Sequence, residues 1–345
     1  MKSVKSFLLG GLLAAIASGI LAVGIYCYQV YTPASMTDDK VVVDIPQRSS
    51  AYSIASRLES RGIINSARFF YYHVKLSGAA PKLRAGAFML SPGYSPAKVA
   101  DILQNDSGAA NLIRVTIPEG YNIWDIGDVL QSKGLALSKE FSDYAHTKAK
   151  YDFQTEFPFL KDIPLDTVEG YLYPETYYFS PSSSIETIVR TMLRQFATIA
   201  LPVWNEASSD PGSPKARFTF HQTLCVASLI EKEARVRDEM RTISSVFYNR
   251  LKKRMPLASD PTIVYALGKS YKKRVYYKDL KIDSPYNTYR NSGFTPTPIA
   301  SMGKKAIAAS LNPADTPYYF FVANKDGTHT FTETYRQHLN VQNRR

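Results

Sequence analysis

From Phe7 to Tyr28 the chain reads FLLGGLLAAIASGILAVGIYCY, with no charged residue. About 20 apolar residues suffice for a helix to cross the hydrocarbon core of a bilayer, so the pattern predicts a transmembrane helix over 7–28. Lys2 and Lys5 precede it, and the next charges, Asp38 and Asp39, are acidic. That asymmetry keeps the amino terminus in the cytoplasm and exports the remainder. A cleaved signal peptide is the competing expectation, with small residues at Ala15–Gly19. The apolar run continues well past them, which favours an uncleaved anchor.

Beyond a linker over 29–40, one amphipathic pattern occurs twice. IPQRSSAYSIASRLESRGI (Ile45–Ile63) and IPEGYNIWDIGDVLQSKGL (Ile117–Leu135) share Ile-Pro, then an isoleucine, a leucine and a Gly-aliphatic pair at matching positions. The register extends without gaps to Ser66/Ser138 and Phe69/Phe141. Each copy predicts a short strand, a turn and a helix closed by its C-terminal glycine. LRAGAFML and a Ser95-Pro96 helix start follow the first copy. Strand–helix–helix–strand units of this size are similar to LysM modules, which bind the N-acetyl-hexosamine backbone of peptidoglycan. A duplicated unit without a ligand is the alternative.

From Val168 the chain turns aromatic, in VEGYLYPETYYFSP. Periodicity then predicts a helix over Ile185–Ala200, a helix containing TLCVASLIEKEA, a short helix over Lys304–Ser310, and a final strand PYYFFVAN paired with GTHTFTET. Helices and strands mix without regular βαβ alternation, so the fold class is α+β. The organisation expected is a tail (1–6), the span (7–28), the linker, a LysM-like subdomain (41–113) and a catalytic domain (114–345).

Charge narrows the partners. The 345 residues carry a formal +12, which suits nucleic acid, an anionic membrane surface or an acidic polymer. No run of consecutive Lys/Arg marks a nucleic-acid patch, and no zinc-finger or RNP-like motif occurs, which argues against nucleic acid. The excess is spread out, densest at Lys269–Lys281. Cys27 and Cys225 support no disulfide framework. Histidines 73, 146, 221, 329 and 338 lack metal-ligand spacing, and no phosphate loop or nucleophile elbow occurs. Neither a metal nor a cofactor is expected.

The chemistry-bearing candidates begin with Glu231 and Glu233. A continuous helix separates them by about 200°, so they cannot face each other as a carboxylate pair. Its spacing groups Glu233 with Val226, Leu229, Ile230, Met240 and Phe247, an apolar stripe. Glu231 falls with Ala227, Ala234 and Asp238 on the polar, solvent side. A carboxyl in an apolar stripe has its pKa pushed up, as a general acid near neutrality requires. A structural ion pair with Arg237 one turn on, or with a distant Arg, is the bland alternative. Asp260, in ASDPT, could orient a loop or a sugar hydroxyl, or merely start a turn. Asn287, between Tyr286 and Tyr289, combines an amide with ring faces, as sugar binding does. A tyrosine-rich loop packed on a sheet would read the same way.

Six ordered motifs then carry a resemblance: EGYLYPETY (169–177), ASLIEKEA (227–234), SVFYNRL (245–251), SDPT (259–262), SPYNTY (284–289) and HTFTET (329–334). Together they resemble the endolytic murein transglycosylases, the YceG-like (MltG) family, across essentially the whole exported part. The resemblance implies a single-pass inner-membrane protein with a LysM-like subdomain before its catalytic domain. It implies cleavage of MurNAc–GlcNAc β-1,4 bonds in nascent glycan strands, leaving 1,6-anhydro-MurNAc ends and terminating elongation. The EKE triplet aligns the family's catalytic glutamate with Glu233. Asn287, Tyr289, Asp260 and Tyr286 are the implied substrate-binding residues, and Glu175 of the YPETY segment would shape or support the groove. The implied partners are peptidoglycan strands and the membrane, with peptidoglycan synthases or division proteins as protein contacts. One departure stands out: FTPTPIASMG (294–303) has Thr297 and Met302 where many members have Gly and Pro.

A glycosidase that hydrolyses its bond needs two carboxyls, about 5 Å apart if retaining and further if inverting. A lytic transglycosylase needs one, because the substrate's own C6 hydroxyl attacks C1 at high effective molarity. A single catalytic Glu therefore favours lytic cleavage. A two-carboxylate muramidase and a non-catalytic LysM-type scaffold are the alternatives.

Overall fold

A computed structural model of the chain describes residues 2–36, 40–105, 112–268 and 275–344. It divides into two compact units, residues 1–113 and 114–345.

The first unit opens with α1 (Lys2–Tyr31), a single unbroken helix. Among the described residues no helix is long and apolar enough to cross a membrane. Positions 7–15 of the expected span lie outside the fully described residues. Next come β1 (Val41–Ile45), α2 (Ala51–Ser60), α3 (Ala67–Leu76), β2 (Gly86–Leu90) and α4 (Pro96–Asn105). The two strands pair antiparallel, Val41 opposite Leu90 and Ile45 opposite Gly86. Their alternating inward residues, Val43, Ile45, Phe88 and Leu90, meet Ile54, Leu58, Phe70, Val74, Val99 and Leu103 from the helices. Period-2 and period-3.6 apolar stripes thus close on one core.

The second unit begins by repeating that order: β3 (Ile113–Thr116), α5 (Ile123–Ser132), α6 (Ser138–Thr147), a short α7 (Ala149–Phe153) and β4 (Thr176–Phe179). Strands β3 and β4 form their own two-stranded sheet. The duplication holds in fine detail at a constant offset of 72 positions. Ser50 and Asn122 both cap a helix by accepting from the backbone N–H three residues on. The turn residues Arg48 and Gly120 are both left-handed (φ 62° and 83°), as are the closing glycines Gly62 and Gly134. After the glycine, however, the ungapped register fails. The second helix of each pair starts at Ala67 and at Ser138, an offset of 71. Phe141 therefore matches the buried Phe70, because one fewer residue links the helices in the second copy.

The remaining helices are α8 (Ile185–Glu206), α9 (Pro214–Arg217), α10 (Phe220–Glu233), α11 (Met240–Lys252), α12 (Asp260–Ala266) and α13 (Lys304–Leu311). A hairpin of β5 (Phe320–Ala323) and β6 (His329–Thr332) follows, then α14 (Tyr335–Asn343). Helix α8 runs on past the expected end at Ala200, through Pro202, because Trp204 packs its ring 5.2 Å from Phe220. Helix α10 is the central element: every residue from Thr223 to Ile230 is buried. A helix apolar all round belongs in a core rather than on a surface. A capping box between Thr219 and Gln222 starts it.

Candidate active site

Helix α10 ends at Glu233; Ala234 is already extended (φ −73°, ψ 113°), and the chain reaches α11 only after a 3₁₀ turn at Arg237–Glu239. The continuous face that would group Glu233 with Met240 and Phe247 therefore does not exist. Glu233 is enclosed for a different reason. It sits at the carbonyl end of a buried helix, on the wall of a cleft of about 720 Å³ shared with Arg250, Ala258, Asp260, Tyr289 and His329. Arg237, the alternative ion-pair partner, lies 3.5 Å from Glu119 instead.

Glu231 does not face solvent as its helical position suggested. It is half-buried, and its carboxylate accepts the Gly303 N–H at 3.0 Å. Between the two acids, Lys232 donates to the Gly120 carbonyl at 2.9 Å. The turn of the second βααβ copy and the segment before α13 thus pin the end of α10, and with it the backbone of Glu233.

The Glu233 carboxyl accepts one short bond, from Ser259 Oγ at 2.6 Å. Ser259 is placed by Thr288, whose Oγ1 accepts its N–H at 3.0 Å and whose carbonyl accepts that of Ala258. Ala258 itself is left-handed (φ 47°), a strained conformation for a residue with a Cβ. Burial raises the pKa of Glu233, and the Asp260 charge adds to the rise; the Ser259 bond and the Arg250 guanidinium oppose it. The carbonyl end of α10 carries partial negative charge and further disfavours the anion. Asp260 stands at the start of α12, where the helix dipole suits a carboxylate. It accepts the Tyr289 hydroxyl at 2.5 Å. Burial and that bond together raise the Tyr289 pKa.

Glu233, Asp260 and Tyr289 are brought together; the other expected residues are not. Asn287 is fully buried, donating to the carbonyls of Leu280 (3.0 Å) and Ile282 (2.8 Å) and accepting the Tyr289 N–H (3.0 Å). It shapes the loop that presents Tyr289, with both amide hydrogens spent on backbone carbonyls and one lone pair of Oδ1 left over. Tyr286 turns away from the cleft, its hydroxyl 2.8 Å from Thr297 Oγ1 and its ring 4.8 Å from that of Tyr265. Thr297 is thus absorbed by packing, and Met302 is likewise fully buried. Glu175 is exposed, with its carboxylate on the N–H of Thr176 beside the β3–β4 sheet.

The acid that matters structurally in EGYLYPETY is Glu169. It is fully buried and accepts from Ile123 N (3.2 Å), Gly170 N (3.1 Å) and Tyr265 Oη (3.2 Å). Burial pushes its pKa up to about 8. Gly170 next to it is left-handed, and a Cβ there would lie 2.3 Å from Pro298 Cβ. Sequence inspection also missed Arg250, half-hidden in SVFYNRL. Its Nε donates to Tyr319 O (2.6 Å) and its Nη1 to Leu257 O (2.6 Å), with the guanidinium 5.2 Å from the Phe320 ring centre. Missed too was the pairing of Glu239 with His329, 90 residues away in sequence. Of the basic stretch Lys269–Lys281, residues 269–274 lie outside the described residues; Tyr276 and Tyr277 beyond them are exposed beside the cleft. Among the described residues no group of three His, Cys, Asp or Glu could hold a metal ion.

The YceG-like family model matches residues 43–344, both units and all of these site residues. The chain belongs to the YceG-like family. A relative from Bacillus subtilis (strain 168), called an endolytic murein transglycosylase, is 38% identical over 308 residues, covering 86% of this chain and 82% of the relative. A Streptococcus pneumoniae D39 protein of the same description is 30% identical over 349 residues; the match covers 93% of this chain and 61% of that longer relative. A crystal structure of a yceG-like protein from Listeria monocytogenes superposes with a TM-score of 0.60 at 33% identity, covering 88% of this chain and 100% of that one. The YceG-like fold is therefore mixed α+β, as the irregular alternation of helices and strands indicated.

Proposed function

We propose that this protein is an endolytic lytic transglycosylase of peptidoglycan, with Glu233 as its acid and then its base. The observation that carries this is the Glu233 carboxyl, shielded at a helix end and held by one hydroxyl, on the wall of a cleft large enough for sugar rings. A protonated Glu233 delivers its proton to the glycosidic oxygen of a MurNAc–GlcNAc bond as C1 acquires positive character. The resulting carboxylate takes the C6 hydroxyl proton of the same MurNAc as O6 closes on C1. The product end is 1,6-anhydro-MurNAc, and Glu233 emerges protonated for the next turn. Tyr289 and Asp260 offer a donor and an acceptor to substrate hydroxyls at the cleft wall. The names of the bacterial relatives support the same chemistry.

Asp260, in the same cleft as Glu233, keeps a second reading alive: a muramidase with two carboxyls. Its bond to Tyr289 favours a positioning part over a nucleophilic one. Digestion of polymeric peptidoglycan with mass spectrometry of the products decides. Anhydro-MurNAc ends, absent with Glu233→Gln, support the transglycosylase. Reducing ends indicate hydrolysis, and no products indicate a scaffold.

The antiparallel βααβ unit over 41–105 supports a LysM-like glycan-binding part ahead of the catalytic one. The uncharged residues 7–28, within one continuous helix and preceded by Lys2 and Lys5, support a single-pass anchor in the cytoplasmic membrane with the catalytic unit outside. In that location the enzyme would cut nascent strands beside the synthases that extend them and so terminate elongation.

A further inference from the structure

Arg250 reaches the cleft from α11, and backbone carbonyls hold its guanidinium there. Nε donates to Tyr319 O at 2.6 Å, and Nη1 donates to Leu257 O at 2.6 Å. The ring centre of Phe320 lies 5.2 Å from the guanidinium carbon. The residue is only 9% exposed, yet it lines the same cleft as Glu233. Among the described residues no carboxylate comes within ion-pair distance of it. A buried cation without a carboxylate is costly, because carbonyl dipoles offset only part of its lost hydration. A neutral donor could tie the same carbonyls, so the charge itself calls for an anion in the cleft. Asp260 already has the start of α12 and the Tyr289 hydroxyl. Glu233 remains, and it is an anion for only part of the cycle.

Arg250 also reaches Glu233 through the backbone. Leu257, whose carbonyl it grips, stands two residues before Ser259, the hydroxyl donor to Glu233, with the left-handed Ala258 between them. Resting on the transglycosylase reading of this cleft, we propose that Arg250 is a positioning residue for Glu233. Its guanidinium is the counter-charge of the Glu233 carboxylate between the two proton transfers, and its grip on Leu257 aims Ser259 at the same group. In the first transfer the C1–O bond breaks, its electron pair goes to the leaving oxygen, and that oxygen takes the Glu233 proton. The carboxylate then stands at the carbonyl end of α10, where the helix dipole disfavours it. In the second transfer O6 bonds to C1 and its proton returns to Glu233. Arg250 stays protonated throughout. By stabilising the anion it makes Glu233 a stronger acid in the first step. Because it is tethered to carbonyls rather than closed on Glu233, the carboxylate stays basic enough for the second. The other charged and titratable groups of the cleft are Asp260 from α12, Tyr289 from its loop, His338 from α14, and His329 from β6 with its partner Glu239.

The test measures initial rates of anhydro-MurNAc formation against pH, with the purified full-length protein in detergent and polymeric peptidoglycan as substrate. Beside it, infrared difference spectra against Glu233→Gln follow the ionisation of the Glu233 carboxyl directly. Arg250→Gln keeps hydrogen-bond donors but no charge. It should lower the rate by about 10²-fold or more. It should also move both the basic limb of the profile and the carboxyl midpoint to higher pH. Arg250→Lys restores the charge and should bring the limb and the midpoint back towards wild type, although a lysine cannot fork between the two carbonyls. A residue that only braces the fold would lower the rate without moving either. If Arg250→Gln does not fold, citrulline at position 250, a neutral isostere of arginine, takes its place and should give the same shift. The proposal is overturned if the folded neutral variant keeps the wild-type limb and midpoint, or if folded Arg250→Lys shifts them as far as the neutral one. Anhydro ends still formed by Glu233→Gln would overturn the function reading itself. An inactive Glu233→Gln beside an Arg250→Gln with wild-type rate and limb would overturn only the part given to Arg250.

Discussion

At the residue scale, the proposed reaction turns on the environment of one carboxyl. Glu233 must be protonated to act as an acid, so the rate should fall as pH rises through its raised pKa. The Ser259 hydroxyl stabilises the anion and holds that pKa down. Ser259→Ala should therefore move the basic limb of the rate profile to higher pH, and a limb at lower pH would contradict the assignment. Glu169 behaves differently because it is sealed in the core. Burial lifts its pKa from 4.5 to about 8, so the folded state holds a proton that the unfolded chain releases. Stability from this group is complete below pH 4.5 and is lost as pH rises towards 8. Glu169→Gln cannot ionise, so its melting temperature should vary less across that window than the wild type's. Glu169 was invisible as a buried acid in the sequence, where the exposed Glu175 of the same motif looked equally suitable.

At the element scale, the twice-used strand–turn–helix–glycine pattern was legible because short-range physics writes it. Caps, left-handed closing glycines and an apolar 3.6-residue stripe are all local requirements. The loop of one fewer residue in the second copy was not legible: Phe69 and Phe70 are adjacent, and only packing shows that Phe70 fills the core. The two kinds of glycine separate in a paired measurement. Gly62 is left-handed with open space around it, so Gly62→Ala should cost only the backbone strain, about 1–3 kcal/mol. Gly170→Ala adds a collision with the ring of Pro298 at 2.3 Å and should destabilise much more. Comparable losses in calorimetric unfolding would refute the close approach of that segment. The end of α10 is a third example. No proline or glycine marks the break after Glu233; tertiary ties to Gly120 and Gly303 hold the helix end in place.

At the scale of the whole molecule, the proposed amino-terminal anchor and the net charge each lead to a prediction. Deleting residues 1–31 should release the protein from membranes without abolishing cleavage of soluble peptidoglycan strands; retention in the membrane fraction would refute the anchor. The +12 formal charge should make binding to anionic peptidoglycan weaken as salt is added, since exposed charges are screened beyond about 10 Å at 0.1 M. Binding that is indifferent to salt would assign the charge elsewhere.

Local chemistry was enough to show the uncharged segment, the α+β class and the repeated unit, and to single out Glu233 as a candidate, because each leaves a pattern within a few turns of chain. Only the tertiary structure decided which neighbours Glu233 has. It tied the Asn287 amide to backbone carbonyls and the Tyr286 hydroxyl to Thr297. It drew in Ser259, Arg250 and His329 from separate elements, and it turned Glu231 onto Gly303 rather than to solvent. The physical reason is the same throughout. A helix face can be read from periodicity, but hydrogen-bond partners far apart in the chain meet only when the core closes around α10.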